Sequence, residues 1–264
     1  MSARVIVTGA ASGIGEATVA ALRERGCAVA GLDLDEREGV IACDVRDQAA
    51  VDAAVAAAIE RLGGLDVLIN CAGLGDPQSA GEAPAEDALR VLDVNLLGPW
   101  RVTSAALPAL RESRGRVVNV ASGLAHLTVP FATAYCMSKK GVVAYSDALR
   151  LEHGDAITVT TIYPGYIRTP IHAAAAAKGM ALEGMVPPEP LAAAVATLVR
   201  AALGRPARDL ATTRRGTASY AFLRLIPRAW IDRGVLRQTR AAAKNGAFRD
   251  GIAKELGERL SARR

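Results

Sequence analysis

The sequence predicts an α/β protein built on a doubly wound parallel sheet of about seven strands with helices on both faces. Two observations carry that expectation. Short apolar, β-branched runs alternate with longer helical stretches from Arg4 to Tyr163, which is the rhythm of βαβ units. The first run enters Gly9-Ala10-Ala11-Ser12-Gly13-Ile14-Gly15 and a helix follows at once. Strand, glycine turn and helix make up the context of a nucleotide-binding loop, so the sheet is of the Rossmann type.

The elements follow in order. Arg4 to Thr8 is a β-branched run, suited to a buried strand, and Glu16 to Arg25 reads as the first helix. Glycines between them let the backbone turn sharply and approach a pyrophosphate, while the helix N-terminus offers free N–H groups and a positive dipole end. The pattern is T-G-x-x-x-G-x-G rather than G-x-G-x-x-G. A second strand, Cys27 to Leu32, ends at Asp33, 24 residues beyond Gly9. An acidic side chain there accepts hydrogen bonds from both ribose hydroxyls and repels a 2′-phosphate. Asp35 and Glu36 add to that repulsion, and Arg37 reads as a solvated charge.

Val40 to Cys43 is a short strand leading to Asp44-Val45, followed by a helix from Gln48 to Arg61. Leu65 to Ile69 is fully apolar and ends in Asn70-Cys71-Ala72-Gly73. A long helical stretch from Glu86 to Arg111 contains Asn95 and is interrupted around Gly98-Pro99. Gly115 to Val120 delivers Ala121-Ser122, the helix Ala134 to His153 follows, and the strand Ile157 to Tyr163 closes on Pro164-Gly165. Such a sheet binds ligands at the C-terminal ends of its strands.

Tyr135 and Lys139 lie four residues apart, on one face of their helix. An ammonium beside a phenol favours the phenolate, lowering a pKa that is ordinarily near ~10. A tyrosine adjusted this way exchanges protons with an alcohol or carbonyl near neutral pH.

Composition excludes other classes. The 264 residues are 51% hydrophobic and 22% charged, ordinary for a globular enzyme. No apolar run is long enough to span a bilayer. Met1-Ser2-Ala3-Arg4 leads directly into a strand, leaving no room for a signal peptide, so a cytoplasmic location is expected. Cys27, Cys43, Cys71 and Cys136 are scattered and read as small core residues in a reducing compartment. His126, His153 and His172 show no ligand spacing, and no metal site is expected. The charge is uneven: residues 205–264 carry 15 Lys+Arg against 5 Asp+Glu, while the preceding 204 residues carry 17 against 22.

Taken together, Thr8-Gly9-x-x-x-Gly13-x-Gly15, Asp44-Val45, Asn70-Cys71-Ala72-Gly73, Asn95, Ser122, Tyr135-x-x-x-Lys139 and Pro164-Gly165 resemble a classical short-chain dehydrogenase/reductase, in its order and spacing. The resemblance implies NAD as cofactor and roles position by position. Tyr135 would take the proton in alcohol oxidation or give it in ketone reduction. Ser122 would hold the substrate oxygen, Lys139 would bind the nicotinamide ribose and lower the Tyr135 pKa, and Asn95 would anchor a water in a proton relay. The cofactor would be held by Gly9, Ser12, Gly13, Ile14, Gly15, Asp33, Asp44, Val45, Asn70, Ala72, Gly73, Tyr135, Lys139, Pro164, Gly165, Ile167 and Thr169. Cys71 replaces the family's second asparagine, a change expected to touch sheet packing and not chemistry.

The resemblance further implies an oxidoreductase acting on CH–OH groups and forming a homodimer or homotetramer. The expected pocket wall is Leu74, Leu124, His126, Leu127, Phe131, Tyr166 and Ile171, which suits a hydrophobic secondary alcohol or ketone. An NADP-dependent ketoreductase and a non-catalytic cofactor-binding sensor or scaffold are the alternatives. Residues 1–205 form the catalytic domain, with a substrate loop at about 166–188, and residues 206–264 a basic, partly apolar helical extension. Pro227 should divide the stretch from Gly216 to Leu236 into two helices. Burial of Phe222, Leu225, Ile226, Trp230 and Ile231 is expected, as a flap over the substrate entrance or a subunit interface. The mixture of apolar residues and arginines also suits a bilayer surface, whereas no nucleic-acid-binding motif is present.

Overall fold

A computed structural model describes residues 2–178, 188–212, 214–223, 225–244 and 251–262; the expected substrate loop lies partly outside them. Seven parallel strands run in the order β3-β2-β1-β4-β5-β6-β7. They are β1 (Arg4–Thr8), β2 (Ala28–Asp33), β3 (Val40–Ala42), β4 (Val67–Asn70), β5 (Arg116–Val120), β6 (Thr158–Tyr163) and β7 (Asp209–Ala211). The chain winds outward one way from β1 and then returns to wind the other way from β4. That reversal opens a crevice beyond the C-terminal ends of β1 and β4.

Alternation along the strands builds two cores. Ile6, Leu68 and Val117 face α2 (Gln48–Leu62), α4 (Gly98–Glu112) and α5 (Thr133–His153), packing on Val55, Val102 and Leu149. Val5, Val7, Val67, Ile69 and Val118 point the other way, toward α1 (Gly13–Arg23) and α7 (Leu191–Leu203), onto Val19, Leu22 and Leu198. This is the period-two pleat read as two hydrophobic faces. α2 is bounded by local chemistry: Asp47 accepts from the Ala49 and Ala50 amides, and Gly63 closes the helix in the left-handed region, as N-caps and C-caps require.

The stretch expected to break around Gly98-Pro99 stays helical. α3 (Glu86–Leu92) runs through one π turn, Asp93–Leu97, into α4. Pro99 has no N–H with which to close the α-helical bond to the carbonyl of Asn95. The wider turn centres on that residue, as π turns often do at functional sites.

α6 (Ala173–Ala177) precedes α7. Beyond β7 the chain forms α8 (Arg214–Leu223), α9 (Arg228–Lys244) and α10 (Lys254–Ala262). Pro227 stands between α8 and α9, and its carbonyl accepts from the Trp230 amide at 2.9 Å. Within the single chain these side chains are not covered: Phe222, Leu225 and Trp230 are 63%, 80% and 66% exposed, and Ile226 and Ile231 are half-buried. The face that α9 buries is built from small residues instead, Thr239 and Ala243. No helix among the described residues is long and apolar enough to cross a membrane.

Candidate active site

The C-terminal ends of β1, β4, β5 and β6 meet in one cleft. Its walls include Gly9, Ser12, Gly13, Ile14, Gly15, Gly73, Ser122, Tyr135, Lys139, Pro164, Gly165, Ile167 and Thr169. Thr8 ties the ends of β1 and β4 together, its hydroxyl accepting from the Cys71 and Ala72 amides at 3.0 Å each. The close approach needs glycine. Gly9 has φ +68°, and a Cβ there would lie 2.8 Å from Ala72 Cα.

Ser12 precedes α1 but makes no side-chain capping bond. The first-turn amides are therefore left at the edge of the cleft, where an uncapped N-terminus attracts anions. Gly13 narrows the floor, since a Cβ there would meet Thr169 at 3.4 Å. These features fit the pyrophosphate of a dinucleotide.

Asp33 stands at the end of β2. One carboxylate oxygen accepts from the Ala11 amide at 2.8 Å and the other from the Leu34 amide at 2.7 Å. The loop is thereby fixed with the carboxylate beside the glycine turn. Arg37 is drawn off toward Glu16, at 3.6 Å.

Asp44 is paired with Arg46 at 2.7 Å, and that guanidinium holds its carboxyl below the usual range. The Val45 carbonyl accepts from Arg101 at 3.3 Å. Neither Asp44 nor Val45 lines the cleft. Asn70 is buried, donating to Thr103 at 2.9 Å and Asn119 at 2.8 Å. Its side-chain oxygen, Oδ1, is buried with no partner among the described residues. Asn119 continues this polar chain to Ser146 at 2.9 Å.

Ser122 stands two residues beyond β5 and opens a short helical turn, accepting from the Leu124 amide at 3.2 Å. Across from it, burial pushes the Tyr135 phenol up to about 12, outweighing the lowering influence of the Ser122 hydroxyl. The expected lowering by Lys139 is corrected here. Lys139 is itself buried and pushed down to about 8, its ammonium donates to the Val120 carbonyl at 3.0 Å, and it lies 5.6 Å from the ring centre rather than at the hydroxyl.

Asn95 is fully buried. Its amide accepts from the Leu74 N–H and donates to the Leu74 carbonyl, each at 2.8 Å, and donates to Ser138 at 3.3 Å. Gly73 lies between Asn95 and Lys139, where a Cβ would approach them at 3.3 and 3.5 Å. The π turn thus sets Asn95 directly behind the lysine.

Of the expected wall, only Ile171 lines the cleft. Leu74 packs beside Tyr135, Tyr166 sits against His172 with ring centres 4.9 Å apart, and Phe131 packs with the C-terminal helices. His126 stacks between Tyr163 at 4.6 Å and Tyr220 of α8 at 4.8 Å. Residues the sequence reading missed also line the cleft: Val120, Ala121, Pro170, His172 and Cys71. The Cys71 thiol is pushed up to about 11 by burial and feels the charge of Lys139, so the residue expected to affect packing alone borders the reactive groups. Its place directly after Asn70 was the available signal.

Comparison with known proteins agrees with this geometry. The family described as short chain dehydrogenase matches residues 3–179. L-fucose dehydrogenase of Bos taurus is 37% identical over 180 residues, covering 63% of this chain and 67% of that protein. D-threitol dehydrogenase of Mycolicibacterium smegmatis is 34% identical over 219 residues, 73% of this chain and 84% of that one. Among solved structures, the 3-ketoacyl-(acyl-carrier-protein) reductase of Brucella melitensis in complex with NADH superposes with a TM-score of 0.69 at 26% identity. It covers 78% of this chain and 95% of that chain.

Proposed function

Because the chain belongs to the short-chain dehydrogenase family and is a nicotinamide-dependent oxidoreductase, we propose that its cofactor is NAD and its substrate a hydrophobic secondary alcohol or the matching ketone. One observation carries the reading: Ser122, Tyr135 and Lys139 line the same cleft as the uncapped start of α1. Bound there, the nicotinamide supplies the hydride acceptor or donor.

The chain's own groups do the rest. Ser122 holds the substrate oxygen toward Tyr135, which moves the proton at that oxygen. Lys139, with its pKa pushed down to about 8 and its ammonium held on the Val120 carbonyl, stays mostly charged at neutral pH and would hold the nicotinamide ribose. Asn95 fixes the Leu74 backbone and so the position of Gly73 against Lys139. The first-turn amides of α1 take the pyrophosphate, and Asp33 takes the adenosine ribose. Thr169, Ile167, Gly165 and Pro164 would line the nicotinamide side, while Asp44, Val45, Asn70 and Ala72 stand behind the cleft walls and would support the loops that hold the cofactor.

Cys71, Pro170 and Ile171 give the reacting corner an apolar cast, which favours a hydrophobic substrate over a polyol. The test is turnover of NAD with a panel of secondary alcohols, from polyols to cyclic and aryl carbinols. Reduction of NAD by the apolar members, with little by the polyols, supports the reading. Turnover confined to polyols would reject the substrate class, and turnover with NADP alone would favour the ketoreductase.

A further inference from the structure

We propose that the outer face of α9, with the α8–α9 corner beside it, is a docking surface for an anionic lipid bilayer. Among the described residues, α9 buries side chains on one side. Thr239 and Ala243 are buried, and Ala243 packs with Ala253, Leu260 and Phe131. At roughly 100° per residue, Trp230, Arg233, Arg237, Arg240 and Lys244 fall together on the opposite side, and all five are exposed. The four cations share a surface depression with Leu236 and Ala241. No acid among the described residues is ion-paired with them. Asp232, the single acid of α9, is exposed but falls on the Thr239 side of the helix, away from the row of cations. At the corner, Phe222, Leu225 and Trp230 stand 63%, 80% and 66% exposed.

Charge complementarity selects the occupant. Residues 205–264 carry 15 Lys+Arg against 5 Asp+Glu, whereas the rest of the chain is net acidic. A sheet of lipid phosphates attracts the first and not the second, so the molecule would approach with this face leading. Tryptophan, phenylalanine and leucine beside long arginines are the composition of an interfacial helix. Aromatic and aliphatic side chains enter the headgroup boundary while guanidinium groups stay at the phosphates. A second copy of the chain on this face would set the same row of cations against itself across a two-fold axis. Nucleic acid would satisfy the arginines but leave Phe222 and Leu225 in water.

The experiment is co-sedimentation of the full chain with vesicles of phosphatidylcholine, with or without about one third phosphatidylglycerol. Binding is expected to the anionic vesicles only and to weaken as salt is raised. The Arg237→Glu/Arg240→Glu variant and, separately, Trp230→Ser should each bind at least about tenfold more weakly. Both should keep wild-type turnover and thermal midpoint, because the altered side chains are exposed. Absence of binding to anionic vesicles, or equal binding by both variants, overturns the proposal. So does competition by duplex DNA that abolishes vesicle binding at equal charge. A particle mass that falls in Trp230→Ser without vesicles assigns the face to a second copy and overturns it as well.

Discussion

Lys139 stands 5.6 Å from the centre of the Tyr135 ring, yet its ammonium is spent on the Val120 carbonyl at 3.0 Å. Proximity alone therefore does not lower the phenol. Burial raises Tyr135 to about 12 and lowers Lys139 to about 8, since each charged form has lost its water. At neutral pH the cleft holds a protonated phenol and a mostly charged lysine. Tyr135→Phe keeps the ring and removes the exchangeable proton, so kcat should fall by about 10²–10⁴-fold while cofactor binding persists. Steady-state kinetics and cofactor fluorescence measure the two separately, and near-wild-type kcat would remove Tyr135 from the chemistry.

The same pair makes a stability prediction. Lys139 is depressed in the folded protein, from 10.5 to about 8, so the folded chain releases its proton before the unfolded chain does. Stability from this group is thus absent below about 8 and gained as pH rises from there toward 10.5, where the unfolded chain binds more protons. Lys139→Met removes a buried ammonium. It should stabilise the protein by about 1–3 kcal/mol at pH 7 while abolishing turnover. The advantage should shrink as pH approaches about 9.5. Urea denaturation of both proteins across that range checks the sign, and an advantage that grows with pH would contradict it.

Cofactor choice turns on Asp33 and its two backbone donors, Ala11 and Leu34. On the NAD reading, the carboxylate held beside the glycine turn would repel a 2′-phosphate, and Arg37 is engaged with Glu16. The kcat/KM with NAD should exceed that with NADP by at least about tenfold, a like-charge cost of one pKa-unit scale or more. Asp33→Ser should narrow the ratio mainly by improving NADP. Equal kcat/KM for both cofactors in the wild type would count against the assignment.

Much of this was legible in the sequence because the signals were local. The alternation of Val5, Ile6 and Val7 between two cores, the glycine turn, and the Tyr135–Lys139 spacing all act over a few residues. What the sequence did not carry depends on neighbours distant along the chain. Desolvation of Tyr135 is set by everything packed around it, and outweighs a single nearby charge. Cys71 borders Lys139 only because β4 and α5 meet at the cleft. Trp230 and Phe222 look like core residues by composition, yet α9 buries Thr239 and Ala243 because small side chains allow close packing against α10. The break around Gly98-Pro99 became a π turn since neighbouring helices hold the chain helical through it.

Asn95 gives a prediction about architecture. Its amide closes both backbone bonds of Leu74 inside a fully buried site. Asn95→Ala leaves the part-buried N–H and carbonyl of Leu74 without this partner, costing about 1–3 kcal/mol. Asn95→Asp keeps the acceptor for the Leu74 N–H but loses the donor to its carbonyl, so it should also destabilise. Denaturant midpoints measure both, and loss of activity without loss of stability would point instead to a direct role for the side chain in proton transfer.

Tyr220 links the C-terminal extension to the reactive corner. Its ring stacks on His126 at 4.8 Å and stands 6.0 Å from Tyr163, and its hydroxyl occupies the space a Cβ on Gly123 would need. Gly123 directly follows Ser122, so the ring backs the turn that presents the serine. Tyr220→Ala should cost about 1–3 kcal/mol of stability through lost aromatic packing. It should also change kcat/KM for bulky secondary alcohols more than for small ones, because the loosened turn lies on the substrate side of Ser122. Tyr220→Phe keeps the stack and should remain close to wild type in both respects. The measurements are thermal midpoints together with kcat/KM on a small and a bulky alcohol. An equal loss on both substrates would reduce Tyr220 to a packing residue, and unchanged kinetics with unchanged stability would detach α8 from the site altogether.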